Sequence, residues 1–374
     1  MQKKEWQVYV FAVILFTLIV MYVITGSIRT ENVEREQSIK QKNNTISLPS
    51  KNSVELDKIW EFKGIGIMHL HATDEKNLYI QSGYGTYYVI DDNSLNVVKK
   101  IEIPYGDDES FYNLTASNGI LATTSDDKVV VFDTNKDELL LDYKIKKSWD
   151  NIRLDWGVLL YDDLVIFSYG HDEATYGLNY NTEQLAWKSE RGWKTGPIDL
   201  YRYKDRYLYR HTFSDAFYEF DPKSGAIIGK YPYEFVALNN RDSHKHTDSF
   251  YIVKNVKDRE LREWLEGFYM KTGKGDVYSV FKSRLHFHGQ NLNPLWELEF
   301  SNEIEDEYNY GKYMFLNFKD SIVLLELKND GGEILWTMKT KDNLIHRIFI
   351  HKERLYVSYK DNTIEAFDLS KLDQ

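Results

Sequence analysis

Short runs of aromatic and β-branched residues recur along most of this 374-residue chain, separated by clusters of Asp, Asn, Gly and Ser. Such runs predict strands, and the clusters predict turns. From about residue 54 the recurring unit is a strand, a turn, a second strand ending in a polar residue, another turn and a third strand. The polar residues that end the second strands are Asp91, Asp133, Asn181, Asp221, Lys271, Asn329 and Asp368. A period of about 40–50 residues with about four strands per unit predicts an all-β chain folded as a seven-bladed β-propeller.

The polar ends and the chain ends both fit this prediction. An Asp or Asn that leaves a strand can accept hydrogen bonds from the backbone amides of the next turn. The last copy stops after three strands, whereas residues 54–62, with Trp60, form a strand of the kind that the unit needs on its outside. Pairing this first strand with the last copy would close the ring and leave no long free sheet edge. The sequence therefore predicts N-to-C strand closure and a propeller domain over residues 54–374.

Two copies of the unit carry a family resemblance, at residues 327–336 (LKNDGGEILW) and 178–187 (LNYNTEQLAW). With Ala366-Phe367-Asp368, they resemble the repeat of the PQQ-like, quinoprotein-type β-propellers, whose pattern is Ala-x-Asp-x-x-Thr-Gly-x-x-x-Trp. The other copies are degenerate because they lose the Gly, the Thr or the Trp. The resemblance implies a fold and hardly any activity.

The family contains enzymes that bind pyrroloquinoline quinone and Ca²⁺, and scaffolds such as the outer-membrane assembly lipoprotein propeller. This chain has no Cys. It therefore lacks both the vicinal Cys pair found over the quinone in many of the enzymes and the lipidated Cys of the lipoproteins, and it matches neither subgroup closely.

An apolar segment precedes the repeats. No residue from 6 to 28 is charged, and about 20 apolar residues in a helix cross a bilayer. Trp6, Tyr9 and Tyr22 lie near its ends, where amphipathic rings favour the membrane interface. A cleaved signal peptide is the alternative, but its apolar region is usually shorter and no small-x-small cleavage site is evident. The sequence predicts a single transmembrane signal anchor over residues 1–28.

A polar, charged stretch over residues 29–53 shows no apolar periodicity, and we interpret it as a tether. Positive charges flank the apolar segment on both sides, so their count does not decide its orientation. A short N-terminal tail before a long folded region is typical of a signal anchor with an exported domain. We therefore expect a single-pass protein of the cytoplasmic membrane, with the propeller on the extracytoplasmic side.

The net charge of the chain excludes nucleic acid as a partner and favours a basic one. Lys and Arg number 47 and Asp and Glu 58, which gives a net charge of −11. An acidic chain lacks the basic surface that nucleic-acid binding requires. The acidic runs at 107–109 and 303–307 are interpreted as loop charge or as a rim that meets a basic partner.

Histidines supply the candidate metal ligands. They recur in His-x-His pairs, of which His69/His71 and His286/His288 fall on predicted strands and His244/His246 in a polar loop. Residues i and i+2 of a strand share a face, so each pair could bind one divalent metal ion. The alternative is that these are exposed or hydrogen-bonded residues at strand ends.

Aromatic and basic residues near predicted strand ends supply the candidate partner-binding residues, which are Trp149, Trp156, Arg191 and Trp193. Trp and Arg are enriched at the centres of protein interfaces. A tryptophan can instead pack between blades.

Together these features favour a membrane-anchored, non-catalytic propeller that serves as a protein-binding or scaffold module in a bacterial cell envelope, and that needs no cofactor. An immunity or inhibitor protein, whose acidic rim covers a basic toxin, is a specific form of this hypothesis. The alternative is an enzyme with a divalent metal or pyrroloquinoline quinone in the central channel.

Overall fold

Antiparallel strands make up nearly all of the regular structure. The structure, a computed structural model, describes residues 43–45, 53–83, 85–103, 113–125, 128–145, 157–169, 174–190, 198–211, 216–238, 248–253, 271–273, 276–281, 283–288, 294–328, 331–340 and 344–372. No helix within these ranges is long and apolar enough to cross a bilayer. The predicted anchor, residues 1–28, and most of the predicted tether lie outside the described residues.

The strands form seven hydrogen-bonded sheets in the described part of the chain, numbered here in chain order. Sheet 1 contains β3 (Met68–Thr73), β4 (Asn77–Ser82), β5 (Thr86–Asp91) and β6 (Val97–Glu102). Sheet 2 contains β7 (Asn113–Ser117), β8 (Ile120–Thr124), β9 (Lys128–Asp133) and β10 (Glu138–Lys144). Sheet 3 contains β11 (Val158–Tyr161), β12 (Leu164–Tyr169), β13 (Ala174–Asn179) and β14 (Gln184–Glu190). Sheet 4 contains β15 (Ile198–Tyr203), β16 (Arg206–His211), β17 (Ala216–Phe220), β18 (Ile227–Leu238) and β19 (Asp248–Val253).

Two of the remaining three sheets include a strand from residues that precede the first repeat. Sheet 5 contains β20 (Lys271–Gly273), β21 (Asp276–Phe281), β22 (Arg284–His288) and β23 (Pro294–Glu299), with β1 (Asn43–Thr45) parallel to β23. Sheet 6 contains β24 (Ile304–Tyr310), β25 (Tyr313–Phe318), β26 (Ser321–Lys328) and β27 (Gly331–Lys339). Sheet 7 contains β28 (Ile345–His351), β29 (Arg354–Tyr359) and β30 (Thr363–Asp368), with β2 (Lys58–Lys63) antiparallel to β30.

Neighbouring sheets pack face to face through apolar side chains. Six hydrophobic clusters join sheets 7 and 1, 1 and 2, 2 and 3, 3 and 4, 5 and 6, and 6 and 7. Strand β25 shows how: Met314 and Leu316 contact sheet 5, whereas Phe315 contacts sheet 7. Because side chains alternate between faces and both faces are covered, such a strand is mostly apolar, with Asn317 as the buried polar exception in β25.

The number of blades stays a prediction. Strand β18 pairs with β17 over residues 227–232 and with β19 over residues 233–238, so the two pairings share no residue. The β18–β19 hairpin therefore extends beyond the four-strand unit of sheet 4.

Antiparallel order places the connections on two faces of the molecule. In each four-stranded sheet the turns between first and second strands, and between third and fourth strands, lie at one end, which we call the turn face. The other connections, including those from one sheet to the next, start and end at the opposite, connection face.

The sequence predicts strand-end caps at six Asp and Asn residues, and the structure confirms four of them, while Asn329 lies outside the described residues. Asp91, Asp133, Asp221 and Asp368 each accept a hydrogen bond from a backbone amide of the following turn. The prediction was wrong at Asn181, because its place is taken by Asn179, which ends β13 and accepts from the amides of residues 181 and 182 at 3.0 Å.

Every outer strand carries a β-bulge near the turn face, where one residue has no partner on the third strand. The bulge residues are Ile59, Val98, Leu140, Ala186, Ile228, Leu295 and Leu335. In four sheets the next residue is a tryptophan. Trp187 Nε1 donates to the carbonyl oxygen of Pro222 in sheet 4 at 2.9 Å, and Trp296 Nε1 donates to that of Lys328 in sheet 6 at 2.8 Å. The bulge thus aims a ring at the next sheet's turn.

Candidate functional site

A cleft of about 470 Å³ opens on the turn face where sheets 2, 3 and 4 meet. Its walls are the tight turns between the first and second strands of these sheets, together with the adjoining strand ends. The polar and aromatic groups that dominate the lining are Tyr161, Asp162, Tyr180, Arg202, Asp205 and Tyr207. We call this site the three-sheet cleft.

Tight turns build the rim of the cleft. Asn118, Asp162 and Lys204, one in each turn, adopt positive φ angles of 51°, 48° and 53°. Asn and Asp accept this left-handed conformation more readily than most residues, which explains two of the three choices. The short turns bring the three strand pairs close to one another, so the rim is held by sheet geometry rather than by long loops.

Buried tyrosines fix the floor. Tyr207 donates its hydroxyl to the carbonyl oxygen of Leu160 at 3.3 Å, and Tyr180 donates to that of Asp162 at 2.8 Å. Burial raises the pKa of both phenols, which therefore stay protonated donors at physiological pH. The Tyr161 ring meets the Tyr207 ring edge to face, with centroids 5.3 Å apart. These contacts tie sheets 3 and 4 together beneath the opening.

Charged groups stand on the rim. Arg202 donates from Nε to the carbonyl oxygen of Lys204 at 3.1 Å, and its guanidinium carbon lies 5.6 Å from the centre of the Tyr207 ring. Asp162 and Asp205 are exposed beside it. Within the described part of the chain, these carboxylates and this guanidinium have no ion-pair partner. The cleft therefore presents both signs of charge on an aromatic floor.

This arrangement suits recognition of a polar surface. An arginine over an aromatic ring, exposed carboxylates and preformed tyrosines are the features found at the centres of protein interfaces. The chemistry that the cleft offers is hydrogen bonding and ion pairing.

A second polar cluster lies on the turn face between sheets 7 and 1. The Asp92 carboxylate is fully buried and contacts His351, Lys352 and Arg354, with a His351 Nε2 to Asp92 Oδ2 distance of 3.1 Å. Burial alone would raise the pKa of Asp92, but the hydrogen bond from Lys352 and the charge of His351 hold it below its usual range. This cluster joins the last sheet to the first and has a structural role.

The histidine pairs are only partly described. The His71 ring stacks on Phe349 with centroids 3.8 Å apart, although the residue as a whole is exposed to solvent. The dense protein around it disfavours the charged form, and Arg347 and His351 add to this, so the pKa of His71 falls to about 4. The side chains of His69, His286 and His288 lie outside the described residues.

Strand geometry separates the two pairs. A register shift between Met68 and Leu70 interrupts β3 at His69, so the regular alternation that would place His69 and His71 on one face does not apply. His286 and His288 pair regularly with Ser279 and Val277 of β21. Among the described residues no group of three or more His, Asp or Glu could hold a metal ion. The metal site at His69, His71, His286 and His288 stays a prediction.

The predicted partner-binding residues, Trp149, Trp156, Arg191 and Trp193, lie outside the described residues. Their segments connect β10 to β11 and β14 to β15, and these strand ends lie at the connection face. The three-sheet cleft is on the opposite face, and the sequence analysis missed it. The only signal was the recurrence of a strand ending in Tyr followed by a polar turn, at Tyr161-Asp162 and at Tyr203-Lys204.

Comparisons with known proteins bear on the fold. No family model matches the chain, and no curated protein matches its sequence. Among solved structures, BamB from Moraxella catarrhalis is similar, with a TM-score of 0.57 and 11% identity over 84% of this chain and 100% of that one. The Mitotic Checkpoint Complex (TM-score 0.49, 8% identity, 87% of this chain and 95% of the other) and the computationally designed Ika8 protein (0.41, 12%, 82% and 97%) are too distant in structure to support an argument. The likeness to BamB supports the β-propeller fold and no more; membership of the PQQ-like repeat family stays an expectation.

Proposed function

We propose that this chain is a membrane-anchored, non-catalytic β-propeller that binds a protein partner in the cell envelope. The observation that carries the proposal is the three-sheet cleft, in which Arg202, Asp162 and Asp205 have no ion-pair partner among the described residues and lie above a hydrogen-bonded tyrosine floor. A rigid rim limits the ordering entropy that binding costs, so exposed charges at fixed positions favour a specific partner.

In this proposal the seven sheets are blades of a closed ring. The β2–β30 pairing, the clusters that join consecutive sheets and the Asp92 contacts between sheets 7 and 1 support closure. A closed ring leaves the two faces and the outer circumference as its binding surfaces. The turn face binds the partner, and Trp149, Trp156, Arg191 and Trp193 are candidates for further contacts with it.

The apolar segment indicates where the propeller is located, and the net charge indicates which kind of partner it binds. The uncharged segment over residues 6–28 supports a single-pass anchor in the cytoplasmic membrane, with the propeller on the extracytoplasmic side. The net charge of −11 favours a basic partner, whose positive groups would form ion pairs with Asp162 and Asp205. An immunity or inhibitor role toward a basic toxin is the specific form of this proposal.

The test is a capture experiment with matched variants. The full chain in mild detergent is immobilised and exposed to envelope and secreted proteins from the same cells. One stoichiometric protein should be retained by the wild type and by Lys76→Ala, which removes an exposed charge elsewhere on the turn face. Arg202→Ala should lose it, and Trp193→Ala should retain less of it. Equal retention by wild type and Arg202→Ala would refute the role of the cleft, and an empty wild-type column would refute the proposal.

A further inference from the structure

Most aspartates of the turn face are paired within the chain. An aspartate in a turn or at a strand end commonly accepts hydrogen bonds from nearby backbone amides. Asp74 does so from the amides of Lys76 and Asn77 at 2.8 Å, and Asp163 accepts from the side chain of Asn179. The others on this face whose carboxylates have a described hydrogen-bond or ion-pair partner are Asp57, Asp91, Asp92, Asp133, Asp137, Asp221 and Asp368.

Asp162 and Asp205 are the exceptions. Within the described part of the chain, neither carboxylate accepts a hydrogen bond or forms an ion pair, and both residues are exposed. Both lie in tight turns that line the three-sheet cleft, one in sheet 3 and one in sheet 4. Because neither carboxylate caps its own turn, both are available to a ligand in the cleft.

The charges of the cleft lining converge on one phenol. Burial raises the pKa of Tyr207, and the three charges of the lining also act on it. They are those of Arg202, Asp162 and Asp205. Arg202 is fixed by its hydrogen bond to the Lys204 carbonyl oxygen and by the Tyr207 ring. The lining thus holds two available carboxylates and one fixed guanidinium, a net charge of −1 that one additional cation would neutralise.

The aromatic floor favours positive charge. Each of its two rings already faces a cation of the chain: Arg202 lies over Tyr207, and Lys223 Nζ lies 5.9 Å from the centre of the Tyr161 ring. The negative face of an aromatic ring attracts cations at such distances. Tyr161 is only partly buried, so its ring can also contact a group that enters the cleft from solvent.

We infer that the three-sheet cleft binds the guanidinium of an arginine side chain of the partner protein. The guanidinium contacts the Tyr161 ring and pairs with Asp162 and Asp205. Because it is planar and has five N–H donors, it can pair with two carboxylates and stack on a ring at the same time, which the compact ammonium of a lysine does less well. This inference rests on the proposed function and adds to it the group that the partner presents.

The probe is Nα-acetyl-arginine amide, and the readout is its dissociation constant, measured by ligand-observed NMR with the full chain in detergent. The wild type should bind it. Nα-acetyl-citrulline amide, which has nearly the same shape without the charge, should bind about tenfold more weakly or worse. Asp162→Asn with Asp205→Asn should weaken binding of the arginine probe to a similar extent. Asparagine accepts the left-handed backbone of residue 162, so this variant should keep its fold.

Asp137→Asn with Asp361→Asn is the matched control. It removes the same two charges from exposed sites, and residue 137 has a left-handed backbone as residue 162 does, with a φ of 63°. The Asp137 carboxylate pairs with Lys99 of sheet 1 at 2.8 Å, away from the cleft. This variant should bind the arginine probe as tightly as the wild type does.

Failure of the inference and failure of the proposed function give different results. No binding of the arginine probe by the wild type, equal binding of the citrulline probe, or an equal loss in the control variant would overturn the inference. Equal binding of Nα-acetyl-lysine amide would overturn the assignment to arginine. In the capture experiment, retention of the partner by Asp162→Asn with Asp205→Asn, together with its loss by Arg202→Ala, would overturn the inference alone. An empty wild-type column would refute the proposed function, whereas binding of the arginine probe would still support a guanidinium site.

Discussion

Replacement of Gly225 by Ala tests how the sheets are held together. Gly225 has a φ of +69°, and a Cβ built on it would lie 2.4 Å from Cε3 of Trp187. The left-handed backbone costs a residue with a side chain about 1 kcal/mol, and forcing a methyl group into a packed site costs about 1–3 kcal/mol. Gly225→Ala should therefore lower the free energy of unfolding by about 2–4 kcal/mol.

Gly311 provides the matched control for this experiment. Its φ is +61°, and a Cβ there would meet nothing within 4 Å. Gly311→Ala should therefore cost only the conformational part, about 1 kcal/mol. The difference between the two variants measures the packing of the Trp187 ring against the turn of sheet 4.

Urea unfolding of the full chain, followed by tryptophan fluorescence, measures both variants, and an unchanged m-value is required for the comparison. In a Trp187→Phe background, which lacks Cε3 and Cζ3 of the indole, the excess cost of Gly225→Ala should fall by more than half. Equal losses for Gly225→Ala and Gly311→Ala, or an excess that persists in the Phe background, would refute the reasoning.

Three further predictions concern charge. Asp92→Asn should destabilise the protein by about 2–3 kcal/mol, less than for a fully buried ion pair because Lys352 is 49% exposed. Asp91→Asn should destabilise it less, because Asp91 makes only exposed contacts with its own turn. Urea midpoints compare the two variants. Because the pKa of Asp92 is lowered in the folded protein, its carboxylate stabilises the fold at neutral pH, and this stabilisation is lost as the pH falls below the ordinary value of 3.8. Urea midpoints taken down to pH 3 should show this loss for wild type and not for the Asn variant. The pKa of His71 is lowered from 6.5 to about 4 in the folded protein, so the unfolded chain binds a proton at a higher pH than the folded one. The free energy of unfolding should therefore fall as the pH drops from 6.5 toward 4. His71→Gln should lose less stability than wild type between pH 7 and 5, and an identical loss in both proteins would count against the lowered pKa.

Local features were predictable from the sequence. Asp91 and Asp221 each end a strand and accept a hydrogen bond from a backbone amide of the next turn, two or three residues further along. This capping role depends only on neighbouring residues, so it can be predicted from the sequence. Asn179 and Asn181 are both suitable amides two positions apart, and only the register of β13 against β14 decides that Asn179 caps the turn. Repeat spacing identifies strands well but does not fix which polar residue ends one.

The three-sheet cleft was not predictable for a different reason. Asp162 and Arg202 each resemble an ordinary surface residue in its own repeat, and only the packing of sheet 3 on sheet 4 places them on one rim. The bulge at His69 is equally invisible in sequence, because it inserts a residue without any change in composition. Contacts between repeats, rather than within them, create both features.

Deuterium exchange on the complex with the captured partner tests the central claim most directly. If the turn face binds a protein at the three-sheet cleft, amides in the turns at Asn118, Asp162 and Lys204 should exchange more slowly in the complex than in the free chain, while those in the Gly311 turn of sheet 6 should not change. Protection confined to segments at the connection face, with none at these three turns, would contradict the account.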